Sequence, residues 1–306
     1  MKINFTILCV MIIFTSCSPY PPLKGSISFR SISILTNTRG IYIFNPNAHS
    51  IEEMQRITPV EIDAGNYAWS ADGKSLIFNC QKRDEWTGIC KIDKDGKNFT
   101  ILISDIEFGG YMFIYNPMAI SPNGKSIVFT EFSSVKPYKS DLYRLDIETG
   151  DIEIIFHIDS GIELISWSPD GNKIALSTSD YEILFLDSNT LDLLFSASDY
   201  YGVWTLDGRY LALSFSHPYH YLYSVNDGKI EGVLDLKDNC IPIDGLAISN
   251  TGEHILFINA CGESDPNFGL YIADFKSGKI KRIDRMNRNP SPNPEPIVSP
   301  AWIPQN

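Results

Sequence analysis

Short apolar runs recur along most of the chain, each bounded by clusters of Gly, Asp, Asn and Ser. Runs of this length, rich in β-branched and aromatic residues, predict strands. The clearest unit is Ser166-Trp167-Ser168-Pro169-Asp170-Gly171, followed by Lys173-Ile174-Ala175-Leu176. It reads as a tight turn between two strands. Pro presets φ, Asp can bond back to the local backbone, and Gly accepts positive φ without steric cost. The phrase recurs as Ala68-Trp69-Ser70-Ala71-Asp72-Gly73, Ala119-Ile120-Ser121-Pro122-Asn123-Gly124, Val203-Trp204-Thr205-Leu206-Asp207-Gly208 and Ala247-Ile248-Ser249-Asn250-Thr251-Gly252. Successive turn glycines are 51, 47, 37 and 44 residues apart.

Each copy has the same sequel. A second apolar strand follows the glycine, then a variable loop, a third strand such as Leu142-Tyr143-Arg144-Leu145, a polar turn such as Glu148-Thr149-Gly150, and a weaker fourth strand. Four strands per repeat at this period predict an all-β propeller of four-stranded antiparallel blades. The ends complement one another. Residues 31–58 carry three strands (Ile32–Leu35, Ile41–Phe44 and Gln55–Ile57) with no opening phrase, while Pro300-Ala301-Trp302-Ile303-Pro304 is an opening phrase with no sequel. The C-terminal strand is therefore expected to join the first blade and close a six-bladed ring over residues 26–306.

The repeat resembles the Trp-Ser-Pro-Asp-Gly blades of TolB-type propellers, also seen in the propellers of prolyl-oligopeptidase-like enzymes. The resemblance covers nearly the whole chain after its leader and is specific for fold; it says little of function, because such propellers serve many roles. In this arrangement Trp69, Trp167, Trp204 and Trp302 are expected to pack between neighbouring blades.

The N-terminus reads differently. Lys2 precedes an apolar run, Ile7 to Phe14, of signal-peptide length and too short to span a bilayer as a helix. Phe14-Thr15-Ser16-Cys17 resembles a bacterial lipobox, with Phe14 where Leu is usual. The expectation is a signal peptide over residues 1–16, lipidation at Cys17, and a stiff Pro-rich spacer over residues 17–25. The chain would then be exported and lipid-anchored to a bacterial membrane, in the periplasm or at the cell surface. The formal net charge is −12, one unit more negative without Lys2, which argues against nucleic acid as a partner.

Strands are named a to d from the axis outward. The a–b and c–d turns lie on one face of the disc and are short and uniform. The b–c loops and d–a connections lie on the other and are long and varied: Asn79–Gly88, Ser104–Met118, Glu131–Asp141, Ser214–His220, Asp235–Gly245, Asn259–Gly269 and Arg285–Ser299. Binding residues gather on such loops. Trp86, Tyr111, Phe113, Tyr115, Tyr138, Tyr200, Tyr201, Tyr219 and Phe268 are the candidates for contact, with Asp63, Asp105, Glu107, Glu163, Asp199 and Asp244 leading into the innermost strands.

Beyond Cys9 and Cys17 the chain has four cysteines, which allow three pairings. Hairpin geometry favours Cys80 with Cys90 and Cys240 with Cys261, and export permits both bonds. The two pairs belong to different blades and lack the close spacing of a zinc site. Asp93-Lys94-Asp95-Gly96-Lys97-Asn98 resembles the start of a calcium loop but lacks the later acidic ligand. No Gly-x-Ser-x-Gly elbow occurs, and His217 and His220 have no further metal ligand nearby in the sequence. The expectation is a non-catalytic, monomeric, protein-binding scaffold of the cell envelope without a cofactor, its partner an envelope or surface protein and its only membrane contact the lipid anchor. The alternatives are a carbohydrate- or peptide-binding module and, further off, a hydrolase with calcium at the axis.

Overall fold

β-Branched and aromatic residues fill the apolar runs, and a pleated strand turns alternate ones inward. The computed structural model describes residues 26–33, 38–45, 54–105, 116–130, 139–198, 200–214, 219–226, 228–235, 244–249, 251–259, 269–283 and 298–303. Three strands come first: β1 (Ile27–Ser33), β2 (Thr38–Phe44) and β3 (Gln55–Arg56). The next sheet is β4 (Asp63–Trp69), β5 (Ser75–Lys82), β6 (Trp86–Asp93) and β7 (Thr100–Ser104). It is followed by β8 (Met118–Ile120), β9 (Ser126–Thr130), β10 (Ser140–Asp146) and β11 (Ile152–Ile158). Then come β12 (Ile162–Trp167), β13 (Lys173–Thr178), β14 (Glu182–Asp187) and β15 (Leu193–Ser198). The chain continues with β16 (Tyr200–Trp204), β17 (Tyr210–Ser214), β18 (Tyr219–Ser224) and β19 (Lys229–Asp235), and with β20 (Asp244–Ile248), β21 (His254–Asn259), β22 (Gly269–Asp274) and β23 (Ile280–Arg282). The last strand, β24 (Val298–Trp302), returns to the N-terminus.

Each of these runs from β4 to β23 makes one antiparallel four-stranded sheet in sequence order. The remaining sheet is composite, with order β24-β1-β2-β3. Ile27 pairs with Trp302 and Ser28 with Ala301, and the Ile303 N–H donates to the Ser26 carbonyl at 3.0 Å. The fold is a β-propeller of four-stranded antiparallel blades. The strand read at Ile32–Leu35 starts earlier, at Ile27, because Ile27 and Phe29 are the residues that alternate into the core. The strand read at Gln55–Ile57 is confined to Gln55–Arg56.

Among the described residues, no sheet has a core of its own: the hydrophobic clusters are each shared by two successive sheets. Ile41, Ile57 and Ile303 of the composite sheet pack with Trp69, Leu76 and Phe78 of the next. Ile77 and Ile89 meet Ile127 and Phe129. Val128 and Leu142 meet Ile165 and Leu176, and Phe185 meets Trp204 and Tyr210. Leu222 packs with Ile255 and Phe257. The series closes where Leu256, Leu270 and Ile272 pack with Ile27, Phe29 and Phe44.

The repeated tryptophans stitch these layers. Trp69 donates its indole N–H to Ser28 Oγ of the preceding sheet at 2.8 Å, and Trp204 donates to the Ser166 carbonyl at 3.3 Å. Trp167 packs half-buried against the cluster that its sheet shares with the preceding one. The side chain of Trp302 lies outside the described residues.

The outer strands carry a further regularity. In β7, β11, β15 and β19 the pairing slips by one residue, leaving Leu102, Ile155, Leu194 and Glu231 as bulges. Bulges twist an edge strand away from flat pairing with another chain. The residues just before them, Ile101, Ile154, Leu193 and Ile230, are exposed on the outer wall.

Trp69→Phe keeps the ring in its layer but removes the donor to buried Ser28. A loss of about 1–2 kcal/mol in urea unfolding is expected. A loss below about 0.5 kcal/mol would show that the bond between the sheets contributes little.

Candidate binding face

The two faces of the disc differ in how their polar groups are used. On the a–b face one hydroxyl organises each turn. Ser168 Oγ donates to Asp170 at 2.5 Å and accepts the Lys173 N–H at 2.9 Å, while Asp170 accepts the Asn172 N–H at 3.1 Å. Ser70, Ser121 and Thr205 do the same in their turns, and Ser249 accepts the His254 N–H at 3.1 Å. Gly171 sits at φ 74°, the left-handed conformation that lets the chain reverse there.

The c–d turns are sealed in a similar way. Asp146 Oδ1 accepts the Glu148 and Thr149 N–H groups, and Asp187 Oδ1 accepts those of Asn189 and Thr190, all at 2.9 Å. The calcium-like stretch is one of these turns. The Gly96 N–H donates to the Asp93 carbonyl at 2.8 Å, Asn98 donates to Asp93 Oδ2, and Asp95 pairs with Lys97.

These bonds hold the carboxyls of Asp72, Asp95, Asp146, Asp170 and Asp187 below the usual carboxylate range. The Ser70 and Ser168 hydroxyls act first on Asp72 and Asp170, and the Thr149 and Thr190 N–H groups on Asp146 and Asp187. Asp207 goes furthest, from 3.8 to about 2, chiefly through its bond to the Arg209 guanidinium. These acids are thus bonded within their own turns, to backbone N–H groups, hydroxyls or a neighbouring cation.

The opposite face is built from unlike parts. Asp63, at the start of β4, is buried; its carboxylate accepts the Arg39 N–H at 2.7 Å and lies 3.6 Å from the exposed Arg83 guanidinium. Arg56 crosses from β3 over Gly40 and donates to the carbonyls of Thr58, Pro59, Ile62 and Arg39 at 2.9–3.3 Å. A Cβ at position 40 would lie 2.6 Å from Arg56 Nε, so the close approach requires glycine. This arginine fastens the d–a connection of residues 57–62 to β2. Asp105 accepts both the Thr87 N–H and hydroxyl, at 3.1 and 2.9 Å, so it fixes the start of β6. Between the next two sheets Asn116 donates to the Thr130 carbonyl at 2.8 Å, and its own carbonyl accepts from Asn79 at 2.5 Å. Further out, Lys139 pairs with Asp159 at 2.6 Å beside the cross-strand pair of Asp141 and His157.

The expected site residues fall unevenly on this frame. Trp86 opens β6 half-buried and packs against the cluster containing Phe78, Cys80 and Cys90. The span Asn79–Gly88, read as a long loop, is mostly ladder: β5 and β6 pair as far as Lys82 with Trp86, leaving the turn Arg83-Asp84-Glu85. Apolar alternation continues through Cys80, which explains the extension. Tyr200, Tyr201 and Tyr219 lie in β16 and β18, where Tyr200 pairs with Ser214, Tyr201 with Leu213 and Tyr219 with Asp235. Tyr111, Phe113, Tyr115, Tyr138 and Phe268 lie outside the described residues, as do Cys17, Cys240, Cys261, Glu107 and Asp199. Asp63 and Asp105 prove to be structural clamps rather than free axial acids, and Glu163 is exposed on β12. Nothing in the sequence marks Arg56, or Tyr181, an exposed aromatic on a b–c turn of this face. The backbone conformation of Tyr181 and the reach of Arg56 are tertiary facts.

Cys80 and Cys90 form a disulfide with Cα atoms 5.9 Å apart, both fully buried. The bond joins β5 to β6 diagonally within the core layer shared with the composite sheet. Among the described residues, no group of three or more His, Cys, Asp or Glu could hold a metal ion, and no helix is long and apolar enough to cross a membrane.

Comparison with known proteins places the fold. TolB from Acinetobacter baumannii superposes with a TM-score of 0.67 at 16% identity, over 93% of this chain and 68% of that one. A chain of a nidogen/laminin complex superposes with a TM-score of 0.64 at 10% identity, over 92% of this chain and all of that one. At these identities the likeness is one of fold. A subunit of eukaryotic translation initiation factor 3 from Cryptococcus neoformans is 35% identical over 26% of this chain, a stretch equal to 13% of that protein's length. No protein-family model matches the chain.

The geometry fixes two measurable outcomes. Because the folded Asp207 carboxyl lies below its ordinary value of 3.8, its stabilisation is present above that pH and is lost as pH falls toward about 2. Asp207→Asn should flatten the fall in stability between those limits in an acid unfolding series. Replacing both Cys80 and Cys90 by Ala should cost about 2–4 kcal/mol, read as a lower urea midpoint that reductant no longer shifts.

Proposed function

We propose that this chain is a non-catalytic, exported and lipid-anchored propeller that binds an envelope or surface protein through its b–c/d–a face. In this reading the composite sheet is a sixth blade, and all six sheets form one closed ring. The packing of Leu256, Leu270 and Ile272 on Ile27, Phe29 and Phe44 supports that count.

The contrast between the faces carries the functional reading. On the a–b/c–d face, Ser, Thr and Asp side chains are spent on repeated local bonds. On the other, each segment differs from the next, and exposed groups such as Val60, Arg83 and Tyr181 project from connections that are themselves well fastened. Varied groups on a rigid frame suit recognition of one particular surface. The nidogen/laminin complex, in which one chain has this fold, supports a binding role without identifying the partner. The lipobox-like segment ending at Cys17 supports export and anchoring.

The test is crosslinking of the full chain in envelope extracts, followed by mass spectrometry. Arg83→Glu should lower recovery of the principal partner about tenfold, a change typical of an interface charge reversal. Leu206→Asp, on the opposite face, should leave recovery unchanged. The reverse pattern, or equal recovery with both variants, would overturn the assignment of the face.

A further inference from the structure

The place where the chain enters the fold has a definite side. In each continuous sheet the residue after strand a donates its N–H to a carbonyl at the start of strand b. Ser70 donates to Ser75, Ser121 to Ser126, Ser168 to Lys173, Thr205 to Arg209 and Ser249 to His254, at 2.8–2.9 Å. The composite sheet repeats this bond between the two ends of the fold: the Ile303 N–H, just after β24, donates to the Ser26 carbonyl, just before β1, at 3.0 Å. So β24 stands where strand a stands elsewhere, β1 stands where strand b stands, and Ser26 and Ile303 occupy the place of an a–b turn. The register agrees, with Ile27 opposite Trp302 at this end and Arg30 opposite Val298 at the other. The b–c/d–a face lies at that other end, where Thr38 opens β2 and donates its hydroxyl to the Val60 carbonyl at 2.7 Å.

Cys17 lies nine residues before Ser26. Nine residues reach about 30 Å when fully extended. That is ample to join the a–b/c–d face to a bilayer beneath it. It does not suffice for the opposite face. To lay that face on the same bilayer, the connection would pass outward beyond β2 and β3, about 10 Å at the spacing of neighbouring strands. It would then climb the height of the disc, about 20 Å for a strand of seven residues such as β1. Its whole length is spent before the lipid is reached.

We propose that the anchored propeller turns its a–b/c–d face to the bilayer and its b–c/d–a face away from it. A partner of the candidate face then arrives from the aqueous side, as a soluble domain and not as a surface embedded in the anchoring bilayer. This rests on the reading that Cys17 carries a lipid, and it assigns the orientation that the anchor imposes.

The experiment uses the full lipidated chain in phosphatidylcholine vesicles that carry a rhodamine-labelled lipid as energy acceptor. A donor dye is attached through Ala71→Cys, an exposed position in an a–b turn, or through Val60→Cys, exposed on a d–a connection. The chain without an added cysteine gives the background. Both positions lie where the composite sheet meets the next one, so they differ chiefly in height. Transfer from Ala71→Cys should exceed that from Val60→Cys about twofold or more, since about 20 Å of strand separates them. Equal transfer, or more from Val60→Cys, would overturn the orientation. A Gly-Ser insert of about 20 residues after Ser18 adds about 25 Å of root-mean-square reach and should narrow the difference. An unchanged difference would mean that the fold itself grips lipid, and would overturn the role given to the connection. Mass spectrometry of the tryptic peptide Cys17–Lys24 separates the two readings. An unmodified Cys17 overturns the anchor and the orientation with it; an acylated Cys17 with equal transfer overturns the orientation alone.

Discussion

The sharing of core layers between successive sheets is the constraint on which the rest of the structure depends. A single four-stranded sheet here buries little on its own account. Phe29 needs Leu256, Ile77 needs Ile127, and Phe185 needs Trp204. A linear stack of such sheets would leave one apolar face open at each end. Pairing of β24 with β1 removes both open faces at once, since it places the composite sheet between the first continuous sheet and the last. The indole bond from Trp69 to Ser28 adds a directional contact at that junction.

Closure in turn frees the connections. Once packing between sheets sets the strands, the residues that join them serve local needs only. On one face that need recurs from turn to turn, and a Ser or Thr hydroxyl, an Asp, Asn or Thr two residues on and a following Gly answer it. Asp72, Asp146, Asp170 and Asp187 are held low in pKa by nearby N–H groups and hydroxyls, and Asp207 by a guanidinium, so these acids serve their own turns. On the other face each connection has its own fastening: Arg56 over Gly40, Asp105 on Thr87, Asn116 between Asn79 and Thr130. A firmly held but irregular surface is what that arrangement produces.

Strand positions, the turn chemistry and the meeting of the two chain ends were all legible in the residues. Alternation along a strand and turn signals at fixed offsets are local properties, and repetition averages out their noise. The Cys80–Cys90 bond was legible for the same reason, because both residues belong to one hairpin. Sequence and structure part at element boundaries. The first strand starts at Ile27 rather than Ile32, and the hairpin of β5 and β6 runs on to Lys82 and Trp86 where a loop was expected, because ladder pairing continues wherever the partner strand is present.

The candidate binding face was legible only as a side of the disc. Asp63 and Asp105 have the sequence positions of axial acids, yet their oxygens accept bonds from Arg39 and Thr87, and Trp86 is half-buried in a core layer. Conversely, the short turn at Ser179-Asp180-Tyr181 carries no sequence signal, since a three-residue connection resembles every other tight turn until its φ angle is known. What the sequence by itself determined was the repeat: the strands, their turns and the blade architecture, all encoded in periodicities shorter than one blade. Only the tertiary structure decided which polar groups are clamps and which face the solvent, because that depends on side chains brought together from separate blades and on a backbone conformation that residue type alone does not reveal.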